Sequence, residues 1–250
     1  MLQNADQRLR CIILILSSTG CRIGAIPNLT LGNLTKIPDY NLYKIVFYPR
    51  TNNEYYTFCT REAAITGIEN YLNYRKRLGE NLSFNQDTNR WEPESTPLIR
   101  LQFDINDMLQ VRHPKHISLE GLRMTLYNHL IKCGIRQVEH LTENDTNRRV
   151  RKSVSFSTGF RKHVISTFIE AELNHEIREL ISDHATHLDA NYFRPTEDKV
   201  LAEYMKAEPY LTLDPNVRLS NENKILKIKA DKVDAALDRI MKMEQQLGLS

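Results

Sequence analysis

Four cysteines are all this chain has, and Cys11, Cys21, Cys59 and Cys133 show neither a paired short spacing nor a histidine at metal-ligand distance. That excludes a cysteine-histidine metal site and predicts reduced, partly buried thiols. No apolar run approaches the roughly 20 residues needed to cross a bilayer, and the opening Met1 to Arg8 lacks the pattern of a secretory leader, so a cytoplasmic protein is expected. A glycine-rich phosphate loop is missing, which argues against a nucleotide cofactor. Internal repeats and low-complexity tracts are missing too, which sets aside solenoids and wholesale disorder. A strong net charge is also lacking: 34 Lys and Arg against 31 Asp and Glu leave +3, and the pI near 8.6 is only mildly basic. Total charge therefore does not by itself point to a polyanionic partner.

What the chain does have is 250 residues with 41% hydrophobic side chains, enough for one large domain, or one domain and an appendage. The basic charge is local. From Asn147 to His163 the sequence carries Arg148, Arg149, Arg151, Lys152, Arg161 and Lys162 with no carboxylate, a density suited to a phosphate backbone.

Apolar periodicity gives the element pattern. Arg8 to Leu16 reads as an apolar helix that Ser17-Ser18-Thr19-Gly20 ends, which puts Arg22 just past a helix terminus. Ile23 to Leu34 reads as a short helix and a turn around Pro27. The aromatic and β-branched runs Leu42 to Tyr48 and Tyr55 to Cys59 read as a β-hairpin with an exposed tip. A helix capped by Thr60 is predicted through Arg77, with Ile65, Ile68, Tyr71 and Leu72 on its inner face. Residues 79–97 are polar and turn-rich. Leu119 to Gly134 reads as a helix, 144–157 as a basic connection, Phe160 to Ala171 and His175 to Ile181 as helices. Near the C-terminus Leu226, Ala230, Val233, Leu237, Ile240 and Leu247 recur at three- and four-residue steps, one sticky seam on a helix that suits docking or oligomerisation. The expected class is mainly α with a small antiparallel hairpin or sheet (α+β), residues 1–215 forming the main domain and 216–250 the tail.

Three blocks hold the chemistry: Ser18-Thr19-Gly20-Cys21-Arg22-Ile23-Gly24; Thr158-Gly159-Phe160-Arg161-Lys162-His163; and His184 with Tyr192 eight residues later. Arg22 and Arg161 can each offer a planar fork to phosphate oxygens without risk of losing charge. A tyrosine is a nucleophile once a base or nearby cations stabilise its anion, and a histidine can move protons near neutral pH. These are the groups needed to attack a phosphodiester.

In that order, with a hairpin between the first two blocks, they resemble the catalytic domain of the tyrosine recombinases, the phage-integrase family. Archaeal integrase-like members look most similar. The matching pieces are Thr19-Gly20-Cys21-Arg22, Gly159-Phe160-Arg161-Lys162, and His184 to Asn191-Tyr192-Phe193-Arg194-Pro195, spanning most of residues 9–213. The resemblance implies the tyrosine recombinase catalytic-domain fold and a site-specific recombinase or integrase that cleaves and rejoins DNA. Tyr192 would be the nucleophile forming a 3′-phosphotyrosine, Arg22 and Arg161 the phosphate clamp, and His184 a phosphate contact or proton-transfer group. Neither metal nor cofactor is implied. The implied partners are double-stranded DNA, held by Arg148, Arg149, Arg151, Lys152 and Lys162, and further copies of the chain, as a tetramer on DNA. The location would be cytoplasmic and nucleoid-associated.

The chain departs from the family pattern at several points. Thr158 stands where the family usually has a histidine, Ala25 where a glutamate is frequent, and Ser182-Asp183-His184 where leucine-glycine-histidine is usual. The hairpin lysine that would protonate the leaving oxygen has no clear counterpart: Arg50 sits at the tip and Lys44 within the preceding strand. Thr158, Arg50 and Lys44 are therefore the weaker catalytic candidates. The first arginine block begins by about residue 18, so an N-terminal DNA-clamping domain is expected to be absent, the chain being a fragment, a truncated copy or dependent on an accessory partner. Two further readings stay open, a catalytically impaired remnant that binds DNA and a type IB topoisomerase-like enzyme.

Overall fold

A computed structural model describes residues 2–136, 157–183, 194–216, 218 and 219. The chain divides into two compact units, residues 1–211 and 212–250, and the first holds the helices and strands that position the site.

Its central element is α1 (Gln7–Thr19), buried from Cys11 to Thr19. The run Cys11-Ile12-Ile13-Leu14-Ile15-Leu16 is apolar on every side, as a helix surrounded by others must be. Asp6 caps its start by accepting from the Leu9 amide at 2.7 Å. The polar residues at its buried end are satisfied within the helix: the hydroxyls of Ser17, Ser18 and Thr19 donate to carbonyls three or four residues back. Gly20 ends the helix in the left-handed conformation, φ +62°, its amide donating to the Leu16 carbonyl.

Two 3-10 turns, Ile23–Asn28 and Leu31–Asn33, lead into an antiparallel sheet of β1 (Leu34–Ile37), β2 (Leu42–Phe47) and β3 (Tyr55–Phe58), in that order. The hairpin read from the sequence is β2–β3, with Phe47 opposite Tyr55, and its tip from Pro49 to Glu54 is exposed. Strand β1, with Leu34 opposite Ile45, is an addition to that reading.

Thr60 caps the next helix as expected, its Oγ1 accepting from the Ala63 amide at 3.2 Å. After Arg61 and Glu62, however, the helix widens into a π segment (Ala63–Glu69) before continuing as α2 (Asn70–Arg77). The wider turn moves Ile65 off the inner face: it is 45% exposed, whereas Ile68, Tyr71 and Leu72 are buried. Residues 79–97 include a small second hairpin, β4 (Ser83–Asn85) with β5 (Arg90–Glu92). Trp91 docks it on the main sheet, donating from Nε1 to the Tyr43 hydroxyl at 2.9 Å. Then come α3 (Met108–Arg112) and α4 (Leu119–Lys132), the latter close to its expected span.

The helices α5 (Thr158–Glu170) and α6 (His175–Ile181) fall where their apolar periods put them. Helix α7 (Glu197–Leu211) is not among the elements assigned from the sequence pattern, although Val200, Leu201, Tyr204, Ala207 and Leu211 carry the helical period. These three helices and the sheet share one core, in which Leu42, Phe58, Val164, Phe168, Ile177 and Tyr204 are buried together. Tyr204 reaches through it to α1, donating to the Ser18 carbonyl at 3.0 Å. Residues 97–111 are held by a buried charge network. Glu80, 4% exposed, accepts from both Arg75 and Arg100, and Arg75 also donates to the carbonyls of Pro97 and Leu98 at 2.9 and 2.8 Å.

Candidate functional site

The C-terminal ends of α1 and α6 meet the second turn of α5, and Gly20 is the reason they can. A Cβ built on Gly20 would lie 3.0 Å from Cβ of Val164, so the absence of a side chain lets α5 approach the end of α1. One turn earlier on α5, Arg161 donates from NH1 to the Gly20 carbonyl at 3.0 Å and from NH2 to the Ser182 carbonyl. Both acceptors belong to helix C-termini, where unpaired carbonyls concentrate partial negative charge. Arg161 is thus a half-buried cation locked between two helix ends by neutral acceptors.

Arg22 lies two residues beyond Gly20 in extended backbone, φ −67° and ψ 137°. Its guanidinium pairs with the Asp183 carboxylate, and a second nitrogen donates to the Asp183 carbonyl at 3.5 Å. The Arg22 side chain is 54% exposed, that of Asp183 only 16%. Asp183 directly follows Ser182, the C-terminal cap of α6, and adopts φ +54°, the left-handed region. Two arginines far apart in sequence therefore converge on Ser182 and Asp183, the residues directly before His184.

The tip end of the main sheet faces the same place. Burial pushes the Tyr48 phenol above its ordinary pKa; nearby Cys21 and Asp183 add to this, while Arg22 and Arg161 oppose it. Tyr48 has φ +51° as the chain leaves β2. Burial raises the Tyr55 phenol strongly as well, and Cys21 and Asp183 push the same way against Arg161. The Tyr55 hydroxyl is buried with no hydrogen-bond partner among the described residues, as is that of Ser182. Beneath them the Cys21 thiol is pushed up to about 12 by burial. Phenols and a thiol so raised stay protonated and neutral near pH 7, leaving the two arginines and the Asp183 carboxylate as the charged groups of the site.

The remaining sequence candidates fall as follows. Thr158 is the first residue of α5, exposed, and three positions before Arg161 on the same helical face. Lys162 and His163 are exposed on other faces of α5. Lys44 lies midway along β2, its ammonium on the Glu197 carboxylate and 4.8 Å from the Tyr56 ring centroid. Four residues of strand, roughly 13 Å, separate it from Tyr48. Arg50 is exposed at the tip with φ +62°, held by its amide on the Glu54 carboxylate. Ala25, where a glutamate is frequent in the resembled family, is buried. Arg148, Arg149, Arg151, Lys152, His184 and Tyr192 lie outside the described residues.

Sequence reasoning did not identify Asp183, Tyr48 and Tyr55 as neighbours of the arginines. The only local signal was the aspartate itself, standing at a helix end where glycine is usual. A separate concave surface, about 480 Å³, is lined by Arg100, Leu101, Phe103, Leu109, His113 and Lys115 and shares no residue with this site. No helix among the described residues is long and apolar enough to cross a membrane.

The sequence matches no protein-family profile and no curated protein. Among solved structures the chain is similar to the crystal structure of XerA recombinase, with a TM-score of 0.46 and 12% identity over 89% of this chain. The match covers 58% of that protein's chain, so the present chain spans well under two thirds of its length.

Proposed function

We propose that this chain is the catalytic part of a tyrosine-type DNA recombinase, with Arg22 and Arg161 as its phosphate clamp. One observation carries the reading: two arginines from opposite halves of the chain meet at Ser182 and Asp183, the last residues before His184. A phosphodiester in displacement gathers negative charge on its non-bridging oxygens, and fixed guanidinium groups stabilise that charge more in the transition state than in the ground state. Arg161 is the better fixed of the two, because both its described acceptors are main-chain carbonyls at helix ends. The three sequence blocks support the same assignment.

In this mechanism the Tyr192 oxygen attacks phosphorus and a P–O bond forms. The bond from phosphorus to the 5′-oxygen breaks, giving a 3′-phosphotyrosine and a 5′-hydroxyl. In this reading His184 accepts the tyrosine proton as attack proceeds, and the departing 5′-oxygen takes its proton from solvent. Attack by a 5′-hydroxyl from a second duplex reverses the step and exchanges strands. The ester conserves the energy of the broken bond, so no nucleotide cofactor is needed. Thr158 contributes a hydrogen bond and not acid-base chemistry. Lys44 is committed to Glu197, and Arg50 holds its proton too tightly to be an efficient acid.

The basic run Arg148, Arg149, Arg151 and Lys152, with Lys162, is assigned to the flanking DNA backbone. Binding dominated by phosphates is salt-sensitive and weakly sequence-specific. A tetramer on paired sites, with the 216–250 tail joining protomers, completes the reading. The second reading, a DNA-binding remnant with little cleavage, is favoured by one set of observations: threonine at position 158, Lys44 locked to Glu197, and a carboxylate on Arg22.

A pool of nicked duplexes that trap the covalent state decides between them. The protein is incubated with the pool, denatured and examined for attached DNA, alongside Tyr192→Phe and Arg161→Ala. We expect an adduct from the native chain, none from Tyr192→Phe, and a roughly 10²- to 10³-fold slower adduct from Arg161→Ala. DNA binding without any adduct would establish the remnant.

A further inference from the structure

Asp183 is the feature that the proposed chemistry does not require, and three observations concern it. Its backbone has φ +54°, a region that glycine occupies freely and a residue with a Cβ occupies at a cost. Its side chain is largely sunk, 16% exposed, while the Arg22 side chain it grips remains 54% exposed. Arg161 beside it is held by carbonyls alone, so among the described contacts Asp183 brings the one carboxylate into direct contact with the arginine pair.

We propose that Asp183 is an internal phosphate surrogate: in the DNA-free protein it occupies the edge of Arg22 that a DNA phosphate takes, and DNA must displace it. The proposal rests on the phosphate-clamp reading of Arg22. A carboxylate and a phosphodiester both present two oxygens to the same guanidinium fork, so they exclude one another there. An ion pair this exposed is weak, which makes displacement by a polyanion with several contacts feasible. Displacement also frees the Asp183 carboxylate from the α1 end, while Ser182 stays held through its carbonyl by Arg161. Arg22 would thus be freed only when DNA is present. Glycine at this position would leave the arginine open at all times.

A double-mutant cycle on binding to an intact, un-nicked duplex at low salt tests this, using native chain, Asp183→Asn, Arg22→Ala and the double variant. Asparagine tolerates the left-handed region, and Asp183→Gly, which relieves it, serves as a second variant should asparagine fold poorly. The expected result is about fivefold tighter binding for Asp183→Asn in the native background and less than about twofold with Arg22 removed. Equal tightening in both backgrounds would reduce Asp183 to one negative charge among many and overturn the proposal. Weaker binding by Asp183→Asn or Asp183→Gly would overturn it too, making Asp183 a support for Arg22 instead of its competitor. If Arg22→Ala alone leaves binding unchanged, the clamp reading of Arg22 has failed and the surrogate role falls with it.

Discussion

At the scale of single residues, Gly20 has two duties that no other amino acid can combine. It closes α1 in the left-handed region, and its missing side chain admits Val164 of α5. Gly20→Ala incurs the left-handed cost of a Cβ, roughly 1–2 kcal/mol, and an overpacking cost of similar size. We expect urea unfolding to show a loss of about 2–4 kcal/mol, with weaker DNA binding because Arg161 rests on the Gly20 carbonyl. A loss below about 1 kcal/mol would mean that α5 can step back without strain. The cysteines give a second test at this scale. Burial drives the Cys11 thiol far up and that of Cys59 to about 12, as it does for Cys21. A thiol reagent at about pH 8 should therefore label only the half-exposed Cys133 in the folded protein, and the other three after unfolding. Rapid labelling of Cys21 in the native state would contradict the packing described around the arginines.

Between elements, the strongest polar tie is the buried network of Arg75, Glu80 and Arg100, which anchors residues 97–111 to the end of α2. Glu80→Gln leaves two buried guanidinium groups without a counter-charge. Removing one partner of such a network costs about 3–5 kcal/mol, and thermal unfolding should show a correspondingly large drop in Tm. A shift no larger than that of a surface substitution would place water in that interior. The elements also show where sequence patterns suffice. α4, α5 and α6 were legible because each keeps one apolar period over its length, α1 because an unbroken apolar run ends at Ser17-Ser18-Thr19-Gly20, and β2–β3 because aromatic and β-branched runs flank a polar tip. β1, β4 and β5 were not, since Leu-Thr-Lys-Ile, Ser-Phe-Asn and Arg-Trp-Glu carry no such run, and contacts such as Trp91 on Tyr43 define the second hairpin. Ile65 was misplaced because a π turn breaks the period on which face assignment depends.

For the molecule as a whole, the test is electrostatic. Binding that runs through phosphates should weaken steeply with salt, and Arg22→Ala should flatten the slope of log affinity against log salt by about 0.9, one phosphate contact. An unchanged slope would remove Arg22 from the DNA interface. The sequence by itself determined the inventory and order of groups, two arginines, a histidine and a tyrosine around a hairpin, together with the helices whose periods are local. Only the tertiary structure decided how those groups are engaged: Arg161 between two helix ends, Lys44 drawn to Glu197, and Asp183 on Arg22. The physical reason is that such pairings join residues far apart in the chain, and depend on how α1, α5 and α6 meet once their apolar faces are buried. No local period carries that information.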